Sequence, residues 1–190
     1  GGILVAAARE DAMSIAIIYA LSVSGLLGVS GLYHWVNWNP KQYALMRQLD
    51  HTMIFVLIAG TYTPFAVYAV DATSRTWVLA TVWGAVAMAF FFNLVWPKAP
   101  RWMHAGIAVA AGLAGVATLP QILSHTGPMC VTLVLTGGVL YIIGATCYAI
   151  KRPNPIPGVF GHHEVFHVLV ILAAAAHYAA IYGYVMPMAT

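Results

Sequence analysis

Apolar residues occupy this chain in six long blocks, separated by short polar or turn-forming stretches. The blocks cover approximately residues 12–36, 50–70, 76–96, 104–124, 128–150 and 162–186. Each is long enough to cross a bilayer as a helix, which takes about 20 apolar residues. Proline, glycine, asparagine or charged residues lie in the breaks between blocks, as expected of turns. The pattern predicts an all-α polytopic membrane protein with a single transmembrane domain over residues 1–190.

Residues 1–8 read GGILVAAA and resemble the end of one more apolar helix. The stretch is too short for a signal peptide and lacks the basic start of one. We therefore expect a remnant of a further helix at about 1–8, largely missing here, in front of the six complete ones. The predicted fold class is a seven-transmembrane helix bundle.

Composition supports a lipid environment and excludes a nucleic-acid partner. Hydrophobic residues make up 62% of the chain and charged residues 7%, whereas soluble domains carry about 25% charged residues. Lipid must therefore cover most of the outer surface. The net charge is +3, but the sequence has no basic run and no basic stripe with interleaved aromatic residues, which nucleic-acid binding would require. The expected partners are the lipid bilayer and a lipid-like small-molecule substrate.

The distribution of Lys and Arg predicts the orientation of the bundle, because short cytoplasmic loops retain positive charge. If the loops alternate sides, one side holds six basic residues and the other holds Arg9 and Arg75. The six are Lys41, Arg47, Lys98, Arg101, Lys151 and Arg152. This bias predicts a cytoplasmic N-terminus, an outside C-terminus at Thr190, and a multi-pass protein of the inner (plasma) membrane.

Ionisable residues inside membrane spans are costly and mark functional sites. Three polar clusters fall at the same predicted depth. Ser30 and His34 lie near the end of one span, Asp50 and His51 lie at the predicted start of the next, and residues 161–167 (GHHEVFH) open the last. All three clusters are expected near the cytoplasmic surface.

His163 and His167 are four residues apart and can hold one metal ion from a single helical turn. His34 would supply the third ligand, and catalytic zinc commonly has three protein ligands and a water. His162 points about 100° away from His163 and is left out. We therefore predict a Zn²⁺ site with His34, His163 and His167 as ligands.

Asp50 and Ser30 are the predicted catalytic partners of this site. A carboxylate beside the zinc water can orient it and take its proton, and the Ser30 hydroxyl can hold that water or a substrate carbonyl. The alternatives are a helix N-cap for Asp50 and a bond to the preceding helical turn for Ser30. Glu164 completes an HExxH pattern with His163 and His167, in which Glu is the base of a metalloprotease.

The remaining histidines are predicted to have structural roles. His51, His104 and His125 are expected to be surface or helix-capping residues. His177 lies about 15 Å beyond His167 along a helix, too far to share its metal, and is expected to make a buried polar contact.

The ordered motifs resemble those of one family. Ser30-Gly31-Leu32-Tyr33-His34, Leu49-Asp50-His51, Ala59-Gly60-Thr61-Tyr62-Thr63-Pro64 and Gly161-His162-His163-Glu164-Val165-Phe166-His167 are similar in order and spacing to the bacterial haemolysin III proteins, which are related to the progestin and adiponectin receptor (PAQR) family. The resemblance implies a seven-helix fold with a cytoplasmic N-terminus and zinc held by His34, His163 and His167. It also implies hydrolysis of ceramide-like lipid amides, as associated with the adiponectin-receptor branch, or the haemolysis and membrane homeostasis linked to bacterial members.

Three functions follow as hypotheses. The leading one is an intramembrane zinc-dependent hydrolase of lipid amides or esters. The second is a non-enzymatic protein with a structural zinc, acting as a receptor-like sensor, a pore-forming haemolysin or a factor in membrane energetics. The third is a zinc protease based on the HExxH pattern.

Overall fold

The computed structural model describes residues 12–96 and 99–189, and these form an all-helical, multi-pass membrane protein. Six segments within these ranges are long and apolar enough to cross a bilayer. The helices are α1 (Met13–Trp35), α2 (Pro40–Tyr68), α3 (Ala72–Val95), α4 (Arg101–Leu113), α5 (Leu119–Thr126), α6 (Pro128–Ile150) and α7 (His162–Ala180). A π-helical turn (Ile181–Val185) and a 3-10 turn (Met186–Met188) extend α7. The six predicted spans are confirmed, and the remnant expected at 1–8 lies outside the described residues.

Helix α2 begins ten residues earlier than the sequence pattern predicted. The Asn39 side chain accepts hydrogen bonds from the backbone N–H groups of Lys41 and Gln42, and Gln42 accepts one from the Asn39 N–H. This capping box, followed by Pro40 in the first turn, is a strong helix start. The prediction of a loop up to residue 49 was therefore wrong, since polar residues in a capped first turn need no apolar surroundings. Asp50 lies inside α2, and its alternative role as an N-cap is excluded.

The fourth span, predicted as one continuous helix, is broken between α4 and α5. A short 3-10 turn (Val116–Thr118) joins the two helices. The Tyr62 ring lies against Gly115, where a β-carbon would come within 2.0 Å of the ring, and the Tyr62 hydroxyl donates to the Gly112 carbonyl. Because unpaired backbone groups are costly within a membrane, this bond from α2 stabilises the break.

Helix α2 is the centre of the bundle. In its most apolar stretch 56% of the residues are buried, against 17–28% for the other spans. Gly60 of α2 touches Ser22 of α1, where a β-carbon on the glycine would lie 2.4 Å from the serine β-carbon. Helices in membranes pack through such small residues, and this contact brings α1 close to α2.

Helices α6 and α7 pack in the same way. Gly137 of α6 faces the His177 ring of α7, and Gly144, two turns further along α6, faces Leu169 and Phe166. The pair therefore has a fixed register, which determines where the histidines at the start of α7 lie. At the opposite end of the bundle, α1 joins α7 through the stacked rings of Tyr19 and Tyr178.

The outward faces of the spans are apolar. Leu21, Phe91 and Val95, for example, expose about two thirds of their surface. Contiguous apolar surface on this scale is not found on monomeric soluble proteins, and it suits contact with lipid tails.

Candidate metal centre and adjoining cavities

Three imidazole rings meet where the end of α1 approaches the start of α7. His34 lies in the last turn of α1, and His163 and His167 lie in the first two turns of α7. The His163 Nε2 atom is 3.2 Å from the His34 Nε2 atom and 3.0 Å from the His167 Nε2 atom. The structure thus brings together all three residues predicted as ligands, and their donor atoms all lie within 4.8 Å of one another.

These separations fit a shared cation. Two ligands of tetrahedral zinc, each with a Zn–N bond of about 2.0–2.1 Å, lie about 3.3 Å apart. Neutral imidazole nitrogens are common zinc ligands. Three nitrogens that face one another at about this distance could therefore hold zinc between them.

The start of α7 is fixed by its own polar contacts. The Glu164 carboxylate accepts a hydrogen bond from the Gly161 N–H at 2.8 Å, as the second half of a capping box. Asn154 accepts one from the His162 N–H at 2.9 Å, and its oxygen lies 3.1 Å from the His162 ring. Glu164 therefore caps the helix, and His162 faces the loop rather than the three-histidine cluster, as its angular position predicted.

Asp50 and Ser30 adjoin the cluster. Ser30 is buried one helical turn before His34, and the Asp50 carboxylate lies beside Ser30, His34 and His167. Helix α2 thus brings the predicted catalytic carboxylate to the ligands contributed by α1 and α7. The alternative in which Ser30 bonds only to its own helix does not account for this contact.

A polar network close to Asp50 was not predicted from the sequence. His51 and His104 stack with ring centroids 5.1 Å apart, although both were expected to be surface or capping residues. The His104 Nε2 atom lies 2.8 Å from the Asn93 amide oxygen, and the Asn93 amide donates to the Thr52 hydroxyl at 3.1 Å. The signal in the sequence was Asn93 itself, a polar residue within an apolar span.

The other two histidines behave as predicted. The His177 Nε2 atom lies 3.0 Å from the Val134 carbonyl oxygen inside the α6–α7 interface. His125 lies in the last turn of α5, with its Nδ1 atom 2.7 Å from the Gln121 carbonyl oxygen.

Two cavities meet at the three-histidine cluster. An apolar cavity of about 300 Å³ runs from Asp50 and His167 to His177 and Leu119. A polar cavity of about 490 Å³ adjoins it, and we call it the polar vestibule; its lining includes Tyr33, Tyr43, Arg47, His51 and His104, together with Asp50, His34 and His163. The candidate site therefore lies between an apolar compartment and a polar one.

Comparison with known proteins identifies the family. The family model described as "Haemolysin-III related" matches residues 3–178. Hemolysin-3 of Bacillus cereus is 30% identical over 177 residues, covering 91% of this chain and 76% of that protein. The adiponectin receptor protein of Drosophila melanogaster is 29% identical over 82% of this chain and 39% of its own length. The ADIPOR-like receptor IZH2 of Saccharomyces cerevisiae is 28% identical over 88% of this chain and 58% of its own length.

No solved structure matches this chain. The match to the family model covers most of the 190 residues, and the residues of the three-histidine cluster lie within it. This chain belongs to the haemolysin-III-related family of membrane proteins.

Proposed function

We propose that this protein is a zinc-dependent intramembrane hydrolase of lipid amides or esters. The observation that carries the proposal is the convergence of His34, His163 and His167, with Asp50 beside them, at the mouth of an apolar cavity. A metal ligand set, a carboxylate and an apolar compartment are the parts that a zinc-dependent lipid hydrolase would use. His34, His163 and His167 would hold the zinc.

Zinc, when bound, supplies Lewis acidity, which polarises a carbonyl and makes water a better nucleophile near neutral pH. The chain provides the remaining chemistry. Asp50 accepts the proton of the attacking water, and Ser30 keeps the carboxylate oriented by donating its hydroxyl hydrogen. The new carbon–oxygen bond replaces the carbon–nitrogen or carbon–oxygen bond to the leaving group, which receives the proton that Asp50 accepted.

The apolar cavity selects the substrate class in this proposal. Its walls include Leu57, Ile58, Val109 and Ile142, which can bury an acyl chain while the carbonyl lies at the histidine end. Burial of each methylene contributes about 0.8 kcal/mol. A ceramide-like amide or a simple acyl ester fits this arrangement, because both place one carbonyl at the head of a long apolar chain.

The orientation proposed for the bundle places this site at the cytoplasmic side of the inner membrane. Lys41 and Arg47 in the first turns of α2, and Lys151 and Arg152 after α6, lie at the end of the bundle that holds the histidines, whereas Arg75 lies at the other end. Retention of positive charge in the cytoplasm supports a cytoplasmic histidine end. In this topology the chain has a cytoplasmic N-terminus, an outside C-terminus and seven spans.

Elemental analysis of the detergent-purified protein is the first test. We expect about one zinc per chain in the wild type and in His162→Ala, whose ring faces Asn154, and a loss of zinc in His163→Ala. The adjacent histidine is a matched control, since both variants remove one imidazole from the same turn of α7. Absence of zinc from the wild type would refute the proposal.

Hydrolysis of neutral lipid amides and esters is the second test. Asp50→Asn has nearly the same shape as the wild-type residue but accepts no proton, so it should keep its zinc and lose turnover by at least about a hundredfold, the lower range for a general base. Full turnover in Asp50→Asn would remove Asp50 from the mechanism. Zinc without turnover of any acyl substrate would argue for a non-enzymatic role.

A further inference from the structure

The polar vestibule has a lining that the proposed hydrolysis does not itself require. It has a volume of about 490 Å³ and adjoins the apolar cavity, with which it shares Asp50, His51 and His163. A substrate carbonyl at the histidine end of the apolar cavity would direct its other substituent into this space. The side chains on the vestibule wall therefore determine which polar group the substrate carries.

One face of α2 supplies part of this wall. Arg47, Asp50 and His51 are spaced i, i+3 and i+4, so they project from the same side of the helix. Asp50 faces Ser30, His34 and His167, and it is the carboxylate of the vestibule lining. Arg47 lies three residues before it, about 4.5 Å along the helix axis. A cation thus lies within one turn of the carboxylate proposed as the base.

A hydrogen-bond network holds this part of the wall in place. The Thr52 hydroxyl donates to the Gln48 carbonyl at 2.8 Å and therefore accepts from the Asn93 amide. Because the amide nitrogen of Asn93 faces Thr52, the amide oxygen of Asn93 faces His104 and accepts the Nε2 proton of that histidine. The His104 ring then packs flat against His51, with 26° between the ring planes.

The network joins α2, α3 and α4, so the wall is ordered before any ligand binds. Pre-ordering of this kind reduces the entropy cost of binding. Asn93 is 4% exposed, and a buried amide within a membrane span is costly unless it is fully bonded. The bonds of the Asn93 amide to Thr52 and His104 therefore fix the position of the rings that it supports.

The donors on the wall suit an anion. The Tyr33 hydroxyl donates to the Tyr43 hydroxyl at 2.8 Å. The hydroxyl hydrogen of Tyr43 therefore points away from Tyr33 and can be donated to a ligand. A guanidinium has five N–H donors in a planar fork and no acceptor, and this geometry matches carboxylate and phosphate groups. A hydroxyl headgroup would accept a single bond from the guanidinium, whereas an oxyanion would accept two parallel bonds and bring the opposite charge.

We propose that the polar vestibule binds an anionic headgroup, a carboxylate or a phosphate, on an amphiphile whose acyl chain occupies the apolar cavity. The proposal rests on the proposed function for the position of the scissile carbonyl, and it narrows the substrate class to acyl amides or esters with an oxyanion a few bonds from that carbonyl. Arg47 and Tyr43 contact the oxyanion.

A matched pair of probes tests this assignment by equilibrium binding to the zinc-loaded protein in a nonionic detergent. N-dodecanoylglycine carries a carboxylate, and N-dodecanoylethanolamine has the same chain and amide but a neutral hydroxyl. We expect the wild type to bind the anionic probe about tenfold more tightly, the effect of about 1.4 kcal/mol. Equal affinity for the two probes would overturn the proposal.

Variants show which residue causes the preference for the anionic probe. Arg47→Gln should bind both probes equally, and Arg47→Lys, which keeps the charge but loses the fork, should retain part of the preference. Lys151→Gln removes a positive charge from the same end of the bundle outside the vestibule and should leave the preference unchanged. Survival of the full preference in Arg47→Gln, or its loss in Lys151→Gln, would contradict the assignment.

Two measurements on the wild type need no variant. The preference should decrease as ionic strength rises, because salt screens a partly exposed charge pair, and a preference that is independent of salt would overturn the proposal. Inorganic phosphate should compete only weakly with the anionic probe. Phosphate binding as tight as that of the probe would mean that the vestibule takes a free anion instead of a lipid headgroup.

Measuring the hydrolysis of the two probes tests the headgroup site and the hydrolase activity separately. Hydrolysis of both probes without any binding preference would support the hydrolase and remove the headgroup site. A tenfold preference without hydrolysis of either probe would support the headgroup site and count against the hydrolase.

Discussion

Replacing Gly137 by alanine should destabilise the α6–α7 pair, whose register positions the histidines of the candidate metal site. A β-carbon at Gly137 would lie 2.4 Å from the Nε2 and Cδ2 atoms of His177 and 3.1 Å from the Ala173 carbonyl oxygen. The His177 ring cannot move freely, because its Nε2 atom is 3.0 Å from the Val134 carbonyl oxygen. The added methyl group must therefore break this contact or push the helices apart.

The neighbouring Gly138 provides the control. A β-carbon at Gly138 would meet no atom within 4 Å. Both substitutions gain the same helix propensity, up to about 1 kcal/mol, so this gain cancels in the comparison. The difference that remains is the cost of overpacking, about 1–3 kcal/mol.

The difference can be measured by thermal unfolding in detergent micelles. For a protein of 150–250 residues, 1 kcal/mol corresponds to a shift in Tm of about 2–4 °C, so Gly137→Ala should melt about 2–12 °C below Gly138→Ala. The gap should narrow in a His177→Asn background, where the ring that causes the clash is gone. Equal melting temperatures for the two alanine variants would refute the packing argument.

Two further predictions concern the helix starts. Glu164→Ala should lower the Tm because it removes a helix cap, whereas Glu164→Gln should preserve the cap. Both variants should keep zinc, and loss of turnover in a zinc-loaded Glu164→Gln variant would indicate a catalytic carboxylate instead. A hydrogen bond from the Ser74 N–H holds the pKa of Asp71 below its ordinary value. The stability that Asp71 contributes is therefore present above about pH 4, the pKa of an unfolded aspartate, and is lost as the pH falls through the lower folded value. The difference in Tm between the wild type and Asp71→Ala should be largest at neutral pH and should shrink in acid, and a gap that is constant with pH would contradict this.

The spans and the candidate ligands were predictable because their signals are local. A run of about 20 apolar residues has few structures available other than a transmembrane helix. The separation of His163 and His167 by four residues places them on one helix face whatever surrounds them. The direction of His162 follows from the same periodicity.

The ends of the helices were less predictable than the spans. A polar segment can be helical and an apolar segment can contain a break, so polarity alone does not show where a helix begins or ends. Residues 40–49 are polar and were interpreted as a loop, yet the capping box at Asn39 starts α2 there. The break after Leu113 lies within an apolar stretch and depends on the approach of the Tyr62 ring to Gly115. Neither helix boundary can be recognised in the pattern of apolar and polar residues.

The sequence by itself determined the class of the protein, the number of complete spans and which polar residues lie at one depth of the membrane. Only the tertiary structure decided which of these residues meet: His34 with His163, Ser30 with Asp50, and His51 with His104. Helix periodicity fixes the face on which a side chain lies, but the neighbour of that face depends on close contacts of small residues with residues far away in the chain, such as Gly60 with Ser22 and Gly137 with His177. Those contacts set the distances between helices, and the distances decide which nitrogens and oxygens can share a ligand.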